Sequence, residues 1–435
     1  TVYLVYSPTY SDCKISSSTF DVTGNVGSTG TMYGVYAPSY SNVDITGSSF
    51  RMTNCGNSYG VYASASSTQS ASVNVTNTYI NITNTIYGAS GIYAQYCPIN
   101  VTGSVIDLYN INQNGGYSNY LIYGYYYSPV NLTKSTMNMT FLPPTSYSPS
   151  SPSFYGVYAY YYSNLTMDGC WMNMSIYGSG TYPYYPYIYV ILSYYYSPEV
   201  INGSTINVVT CSGGGYYPYT YGIQNQYYSN LNMSESTYNL TRTGSGQYPY
   251  YSQYTYMFYP QTYSNCSFIN CKLNMSGTTG YYDQYVYLFN MGSYCPVTFN
   301  RTNVVFRWTS PPTYYNYQIN ALYATSGYSP VTMLNSTIWI NNCTCQYFYG
   351  VYTYYAGFKM DNSSFIASDN AAMYQAYYTY VYAYGTTNVN VNITWSTYRI
   401  INDTGINQYN YKNTYAIYIQ YGGFQVENST LQFDY

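Results

Sequence analysis

The chain has 435 residues, long enough for a large core, yet only 5% of them are charged against roughly 25% in an ordinary soluble protein. Tyrosine supplies 76 residues, histidine none, and the net charge is −3. Ten Lys and Arg spread over this length cannot neutralise a phosphate backbone, so nucleic acid is excluded as a partner. With 46% hydrophobic residues, a disordered chain is excluded as well. A surface with few ionisable groups changes little with pH, which suits an acidic or harsh exterior.

No apolar run approaches the roughly 18–20 residues that cross a bilayer, so membrane insertion is not expected within this segment. The chain begins at Thr1 and carries no signal peptide. It reads as a processed chain or as a segment of a longer one.

One phrase returns along the chain: YGVYAPSYSNVDITGSSFRM at 33–52, YGVYASASSTQSASVNVTNTYINI at 59–82, YGVYAYYYSNLTMDGCWMNM at 155–174. Taking Ile45 as the anchor, its equivalents are Ile15, Val75, Val101, Leu132, Met167, Ile201, Met233, Phe268, Phe299, Met333, Met360, Ile393 and Val426. Five residues after each anchor stands a second apolar or aromatic position: Phe20, Phe50, Ile80, Ile106, Met137, Met172, Ile206, Tyr238, Leu273, Val304, Ile338, Phe365, Tyr398 and Leu431. Two residues later comes a third, as at Val22, Met52, Ile82 and Leu108. About ten residues before the anchor lies a YGVYA-like segment. Its central residues are Val5, Val35, Val61, Ile92, Ile122, Val157, Tyr189, Ile223, Phe258, Phe289, Leu322, Val351, Val381 and Ile417.

Apolar and polar residues alternate in each segment, the period of a strand. A repeat of about 29 residues with three short strands cannot bury its own inner face, but stacked repeats can. The expected fold is all-β: one continuous parallel β-helix domain over 1–435, about 14 coils of three strands on three sheets. At about 4.8 Å per coil this would make a rod of roughly 60–65 Å.

Three residues after each anchor stands a small side chain with a hydroxyl or thiol: Ser18, Ser48, Thr78, Ser104, Ser135, Cys170, Ser204, Ser236, Cys271, Thr302, Ser336, Ser363, Ser396 and Ser429. A tight corner has room only for such a residue, and stacked hydroxyls can bond one another or nearby backbone. A buried Ser/Thr ladder is predicted.

With these residues in view, NVDITGSSFRMTN…YGVYA (42–63) resembles the repeats of right-handed, single-stranded parallel β-helices of the pectin-lyase-like family. The resemblance covers the whole chain and implies handedness. It does not imply one function, since that fold carries lyases, hydrolases, viral tailspikes, adhesins and structural rods. The Tyr/Asn/Thr/Ser-rich, charge-poor composition also resembles surface proteins of thermophilic archaea and fibre proteins of the virions that infect them.

Of ten cysteines, Cys170 and Cys271 replace the ladder serine, and Cys13 and Cys266 fall at inward strand positions. Cys55, Cys211 and Cys343 are equivalent but lie in repeats 2, 7 and 12. They read as small buried apolar residues, with Cys266–Cys271 and Cys343–Cys345 open as pairs. No CxxC occurs, and without histidine no zinc site or other metal is expected. No cofactor is expected either.

Asn-x-Ser/Thr occurs nineteen times, where composition alone gives about ten. The acceptors are Asn74, Asn81, Asn100, Asn131, Asn138, Asn164, Asn173, Asn202, Asn232, Asn239, Asn265, Asn274, Asn300, Asn335, Asn342, Asn362, Asn392, Asn402 and Asn428. Asn81, Asn138, Asn173, Asn239 and Asn274 fall between the second and third apolar positions, and Asn74, Asn100, Asn131, Asn232 and Asn392 just before the anchor; both sets should point outward. Such sites accept sugar in an extracellular protein; outward strand positions also favour Asn without modification.

Carbohydrate-cleaving β-helices need paired carboxylates, or a carboxylate-bound metal with a base. Asp168 and Asp361 share a repeat position but lie six coils apart, roughly 29 Å by strand spacing. Asp12 and Asp44 could be neighbours on adjacent coils, with nothing basic beside them: Lys14 points outward and Arg51 is on another sheet. No catalytic residue is assigned.

The loops of repeats 5 to 10 are long and rich in Pro and Tyr: LPPTSYSPSSPSF (142–154), YGSGTYPYYPY (177–187), SGGGYYPYT (212–220), TGSGQYPYYSQYT (243–255) and TSPPTYYNYQ (309–318). They should stack along one edge, and Tyr184, Tyr185, Tyr216, Tyr217, Tyr250, Tyr251, Tyr314 and Tyr315 form the candidate binding edge. The alternative is that these rings shield their own rod. An outward tyrosine beside YGVYA also recurs, at Tyr6, Tyr36, Tyr62, Tyr93, Tyr123, Tyr158, Tyr323, Tyr352, Tyr382 and Tyr418, and should form a stacked ladder.

These features point to a non-enzymatic extracellular structural or attachment rod at a virion or cell surface, foremost a tail-fibre or spike segment. A cell-surface filament or surface-layer subunit is the alternative, and a polysaccharide-degrading enzyme the second. The partners expected are further copies or other fibre subunits, and a host glycan or glycoprotein. Ends of a β-helix expose strand edges, so further protein, a partner or end-to-end stacking is expected there.

Overall fold

The computed structural model describes residues 1–24, 30–66, 71–111, 117–142, 152–177, 186–212, 219–244, 253–278, 284–309, 317–324, 327–402, 404–405 and 413–434. The chain is an all-β parallel β-solenoid of about 11 turns with two parallel sheets. Its contacts group into two compact units, Thr1–Cys211 and Ser212–Tyr435.

Most coils use three strands. In the first unit Thr31–Ala37, Val43–Thr46 and Ser49–Thr53 make one coil, and in the second Gln284–Met291, Val297–Asn300 and Asn303–Thr309 make another. We call these the tyrosine strand, the anchor strand and the third strand. Most are short, because β-branched and aromatic residues alternate with polar ones for only a few positions before a corner. Each strand pairs in parallel with its counterpart one coil on.

The register reproduces the sequence columns. In the first unit the anchors run Ile15, Ile45, Val75, Val101, Leu132, Met167, Ile201 as direct partners. In the second they run Met233, Phe268, Phe299, Met333, Met360, Ile393, Val426. The third-strand columns match equally: Phe20 to Ile206 in the first unit, Tyr238 to Leu431 in the second. Val35, Ile45, Phe50 and Met52 show how a coil fills its interior, all 1% exposed or less. Each such side chain contributes about 1.5–3 kcal/mol by burial.

Two expectations are corrected. In the tyrosine-strand column the partner of Val157 is Ile191, and Tyr189 instead faces Tyr155. Ile191 is fully buried while Tyr189 is half-buried, so the apolar requirement of the interior sets the register two residues later than the YxY pattern indicates. The three faces also form two sheets rather than three. The strand Ala371–Thr394 pairs with both the tyrosine strand Thr344–Tyr354 and the anchor strand Phe358–Asp361, so hydrogen bonding continues round that corner. Third strands keep a separate sheet.

Close approach of backbones leaves no room for a Cβ at several glycines of the tyrosine strands, Gly60 among them. A Cβ on Gly60 would lie 2.5 Å from the carbonyl oxygen of Gly91 and 2.6 Å from Ile80 Cγ2. Elsewhere glycine makes room for an oversized neighbour: a Cβ on Gly277 would lie 2.7 Å from the ring of Trp308, which is fully buried.

Candidate binding surface: ladders and tyrosine columns

The predicted ladder corner is built as a repeated device. The residue before each ladder position is in the left-handed region, φ 45–59°: Ser17, Gly47, Asn77, Gly103, Lys134, Gly169 and Gly203, then Glu235, Asn270, Arg301, Asn335, Asn362, Trp395 and Asn428. That turn points the ladder side chain inward. Its hydroxyl donates to the carbonyl two residues back, as in Ser48 Oγ to Thr46 O at 3.0 Å and Ser336 Oγ to Leu334 O at 2.7 Å. It accepts the backbone N–H of the ladder residue one coil earlier. Thr78 N–H donates to Ser104 Oγ at 3.1 Å, Ser104 N–H to Ser135 Oγ at 3.2 Å, and Thr302 N–H to Ser336 Oγ at 3.1 Å. Cysteine serves in the same place, with Cys170 Sγ donating to Asp168 O at 3.4 Å.

A second ladder escaped the sequence reading. Between the tyrosine and anchor strands, Cys97 N–H donates to Ser128 Oγ, Ser128 N–H to Ser163 Oγ and Ser163 N–H to Ser197 Oγ, at 3.0–3.1 Å. In the second unit Ser229 N–H donates to Ser264 Oγ at 3.2 Å and Cys295 N–H to Ser329 Oγ at 2.9 Å. The residue before each of these is a tyrosine in the left-handed region: Tyr96, Tyr127, Tyr162, Tyr196, Tyr228, Tyr263, Tyr294 and Tyr328. The signal was present as a recurring Tyr-Ser or Tyr-Cys dipeptide.

Those tyrosines stack. Tyr127, Tyr162 and Tyr196 have ring centroids 5.1 and 5.3 Å apart with planes within 6°. Tyr228, Tyr263, Tyr294 and Tyr328 follow at 4.9, 4.7 and 5.2 Å, within 13°.

The outward ladder beside YGVYA is also in register. Tyr6, Tyr36, Tyr62, Tyr93, Tyr123 and Tyr158 are successive partners in the first unit, with centroids 4.9–5.8 Å apart. Leu192 follows Tyr158 in that register and ends the run. In the second unit Tyr323, Tyr352, Tyr382 and Tyr418 repeat it at 4.6–4.9 Å. Burial, reinforced by neighbouring phenols, pushes Tyr33 up to about 12 and Tyr93, Tyr123 and Tyr158 higher still. These phenols are neutral hydrogen-bonding groups at any physiological pH. The eight tyrosines of the predicted loop edge, Tyr184, Tyr185, Tyr216, Tyr217, Tyr250, Tyr251, Tyr314 and Tyr315, lie outside the described residues.

All nineteen sequon asparagines are half-buried or exposed. Several join outward amide ladders. Asn74 Nδ2 donates to Asp44 at 2.7 Å, Asn100 Nδ2 to Asn74 Oδ1 at 2.8 Å and Asn131 Nδ2 to Asn100 Oδ1 at 2.9 Å. On the third strands Asn138 donates to Asp107 at 2.6 Å and Asn173 to Asn138 at 2.8 Å. In these two columns the bonds run the same way and an aspartate, an acceptor only, stands at the base. Asn42 donates to Asp12 in the same sense, at 3.0 Å.

These ladders account for acids that sequence spacing had offered as neighbours. The residue opposite Asp44 is Lys14, and Asp12 faces Asn42, so Asp12 and Asp44 are not a carboxylate pair. Asp107 borders a shallow polar depression of about 360 Å³ with Asn81, Thr83, Leu108, Tyr109, Asn138 and Thr140. Glu199 and Arg242 are buried. Arg242 donates to Thr255 Oγ1, and burial lowers it to about 10. Among the described residues no group of three His, Cys, Asp or Glu converges on one point. Nine cysteine side chains are buried, Cys13 and Cys266 at inward positions, and that of Cys211 lies outside the described ones. Burial raises the thiols of Cys13, Cys55, Cys170 and Cys271, those of Cys97 and Cys345 to about 12 and that of Cys295 to about 11.

The arrangement offers columns of neutral phenols and amides repeated once per coil. Such a surface can hydrogen-bond and stack on a partner. Comparison with family models, with curated proteins and with solved structures finds no match.

Proposed function

We propose that this chain is a non-enzymatic extracellular attachment rod, a tail-fibre or spike segment of a virion that contacts the host surface. The finer geometry proposed with it is a right-handed helix of fourteen coils. The fourteen third strands support that count, and the resemblance of the repeats to pectin-lyase-like β-helices supports the hand. The observation that carries the reading is the set of tyrosine columns held in register on a hydrogen-bonded scaffold. Tyrosine offers an apolar ring and a polar tip at small entropic loss, which makes it a common contact residue. The partner that fits is a host glycan or glycoprotein. Sugar on the outward sequon asparagines belongs to the same reading.

The test is binding of fluorescently labelled chain to isolated envelopes of candidate host cells. Saturable binding that unlabelled chain displaces is expected. Retention no greater than that of an unrelated β-solenoid would overturn the reading.

A further inference from the structure

The corner tyrosines keep an unfavourable backbone in a turn that the other ladder corner fills mostly, though not wholly, with glycine and asparagine. Tyr127, Tyr162 and Tyr196 have φ of 51°, 55° and 52°; Tyr228, Tyr263, Tyr294 and Tyr328 have 61°, 58°, 57° and 66°. The other ladder corner takes the same left-handed turn with Gly47, Gly103, Gly169 and Gly203, with Asn77, Asn270, Asn335, Asn362 and Asn428, and with Ser17, Lys134, Glu235, Arg301 and Trp395, so the turn itself calls for no single side chain, whereas this corner repeats tyrosine. A side chain with a Cβ is disfavoured there, and a bulky one more so. The core does not call for tyrosine either, because these rings are 42–59% exposed. Strain repeated coil after coil at an exposed position is a mark of use rather than of folding.

Each unit so carries its own row of parallel rings, 5.1–5.3 Å apart in the first and 4.7–5.2 Å apart in the second. They belong to a chain of net charge −3 in 435 residues. We propose that the row of the second unit, Tyr228 to Tyr328, is a self-association surface on which the corresponding row of a second copy docks. A row with one ring per coil is met ring for ring only by a partner repeating at the same interval of about 4.8 Å, and another copy of this chain carries that repeat. A chain this close to neutral raises no like-charge barrier against its own copies. The proposal rests on the reading of the chain as a component of an extracellular assembly, and it names the surface that assembles.

Sedimentation velocity of the purified chain over a concentration series tests it, comparing wild type, the triple variant Tyr228→Asn, Tyr263→Asn, Tyr294→Asn, and the control Tyr109→Ser on a third strand. Wild type and control should form dimers or larger species. The triple variant should associate at least tenfold more weakly with its thermal midpoint unchanged or raised, since asparagine tolerates the turn. A wild type that stays monomeric, or a triple variant that associates equally well, overturns the proposal. A triple variant whose midpoint falls along with association assigns the tyrosines to folding and overturns it too. A monomeric wild type that still binds envelopes would end this inference and leave the attachment reading standing; an associating chain that binds no envelope would do the reverse.

Discussion

Ser104→Ala probes the ladder where its bonding is complete. Ser104 is 1% exposed. Its hydroxyl donates to Thr102 O at 2.9 Å, lies 3.2 Å from Val75 O, and accepts Thr78 N–H at 3.1 Å. The substitution removes two hydrogen bonds, each worth about 1 kcal/mol net, and leaves a buried backbone N–H without its acceptor. The expected loss is about 2–4 kcal/mol. Global denaturation is a poor readout, because stacked repeats need not unfold in one step. Native-state hydrogen exchange reads the effect directly: the Thr78 amide should lose protection by a factor corresponding to that loss, with smaller changes one coil further away. Ser104→Cys should lose less, because Cys271 fills the same place with Sγ 3.3 Å from Ile269 O and its own N–H 3.3 Å from Thr302 Oγ1. If Ser104→Ala stays within about 0.5 kcal/mol of wild type and Thr78 keeps its protection, the ladder is not a structural element.

Three further outcomes follow from the same geometry. Tyr33 stands at about 12 in the fold against 10.0 ordinarily. Its contribution to stability is therefore complete below pH 10.0 and is lost as pH rises through about 12. Phenolate absorbance of the native chain should lag that of the denatured chain across this window, with the thermal midpoint falling only there; coincident titrations would contradict the burial. Gly60→Ala, which drives a Cβ against the Gly91 carbonyl, should lower stability by about 3 kcal/mol or prevent soluble expression, and a neutral result would refute the close backbone approach. The nine buried thiols should resist iodoacetamide at neutral pH in the native chain and react on denaturation; rapid native labelling of Cys97, Cys295 or Cys345 would show the interior open at those positions.

The columns of the solenoid were legible because burial imposes one residue class at one register position. The anchor and third-strand columns align as the spacing indicated, since Ile45, Val75 and Val101 have no polar substitute. The tyrosine strand was less legible. Tyrosine suits both its inner edge and its outer face, so Tyr189 stood in for Ile191. The left-handed corners were hidden because residues as unlike as Lys134, Glu235, Arg301 and Trp395 take the same turn as glycine. The second ladder was hidden because its serines follow tyrosines, and the eye reads the tyrosines. The acids were misplaced by counting along the chain: Asp44 faces Lys14, and the hydrogen-bond direction of the amide columns, which puts Asp44 and Asp107 at their bases, is not written in spacing.

The most direct test of the attachment reading is electron cryo-microscopy of the native assembly that contains this chain. The account predicts that the chain lies outermost, projecting from a virion, with sugar density on its outward asparagines. A chain closed into a continuous lattice or filament, or a free protein with oligosaccharide held in a groove, would contradict it.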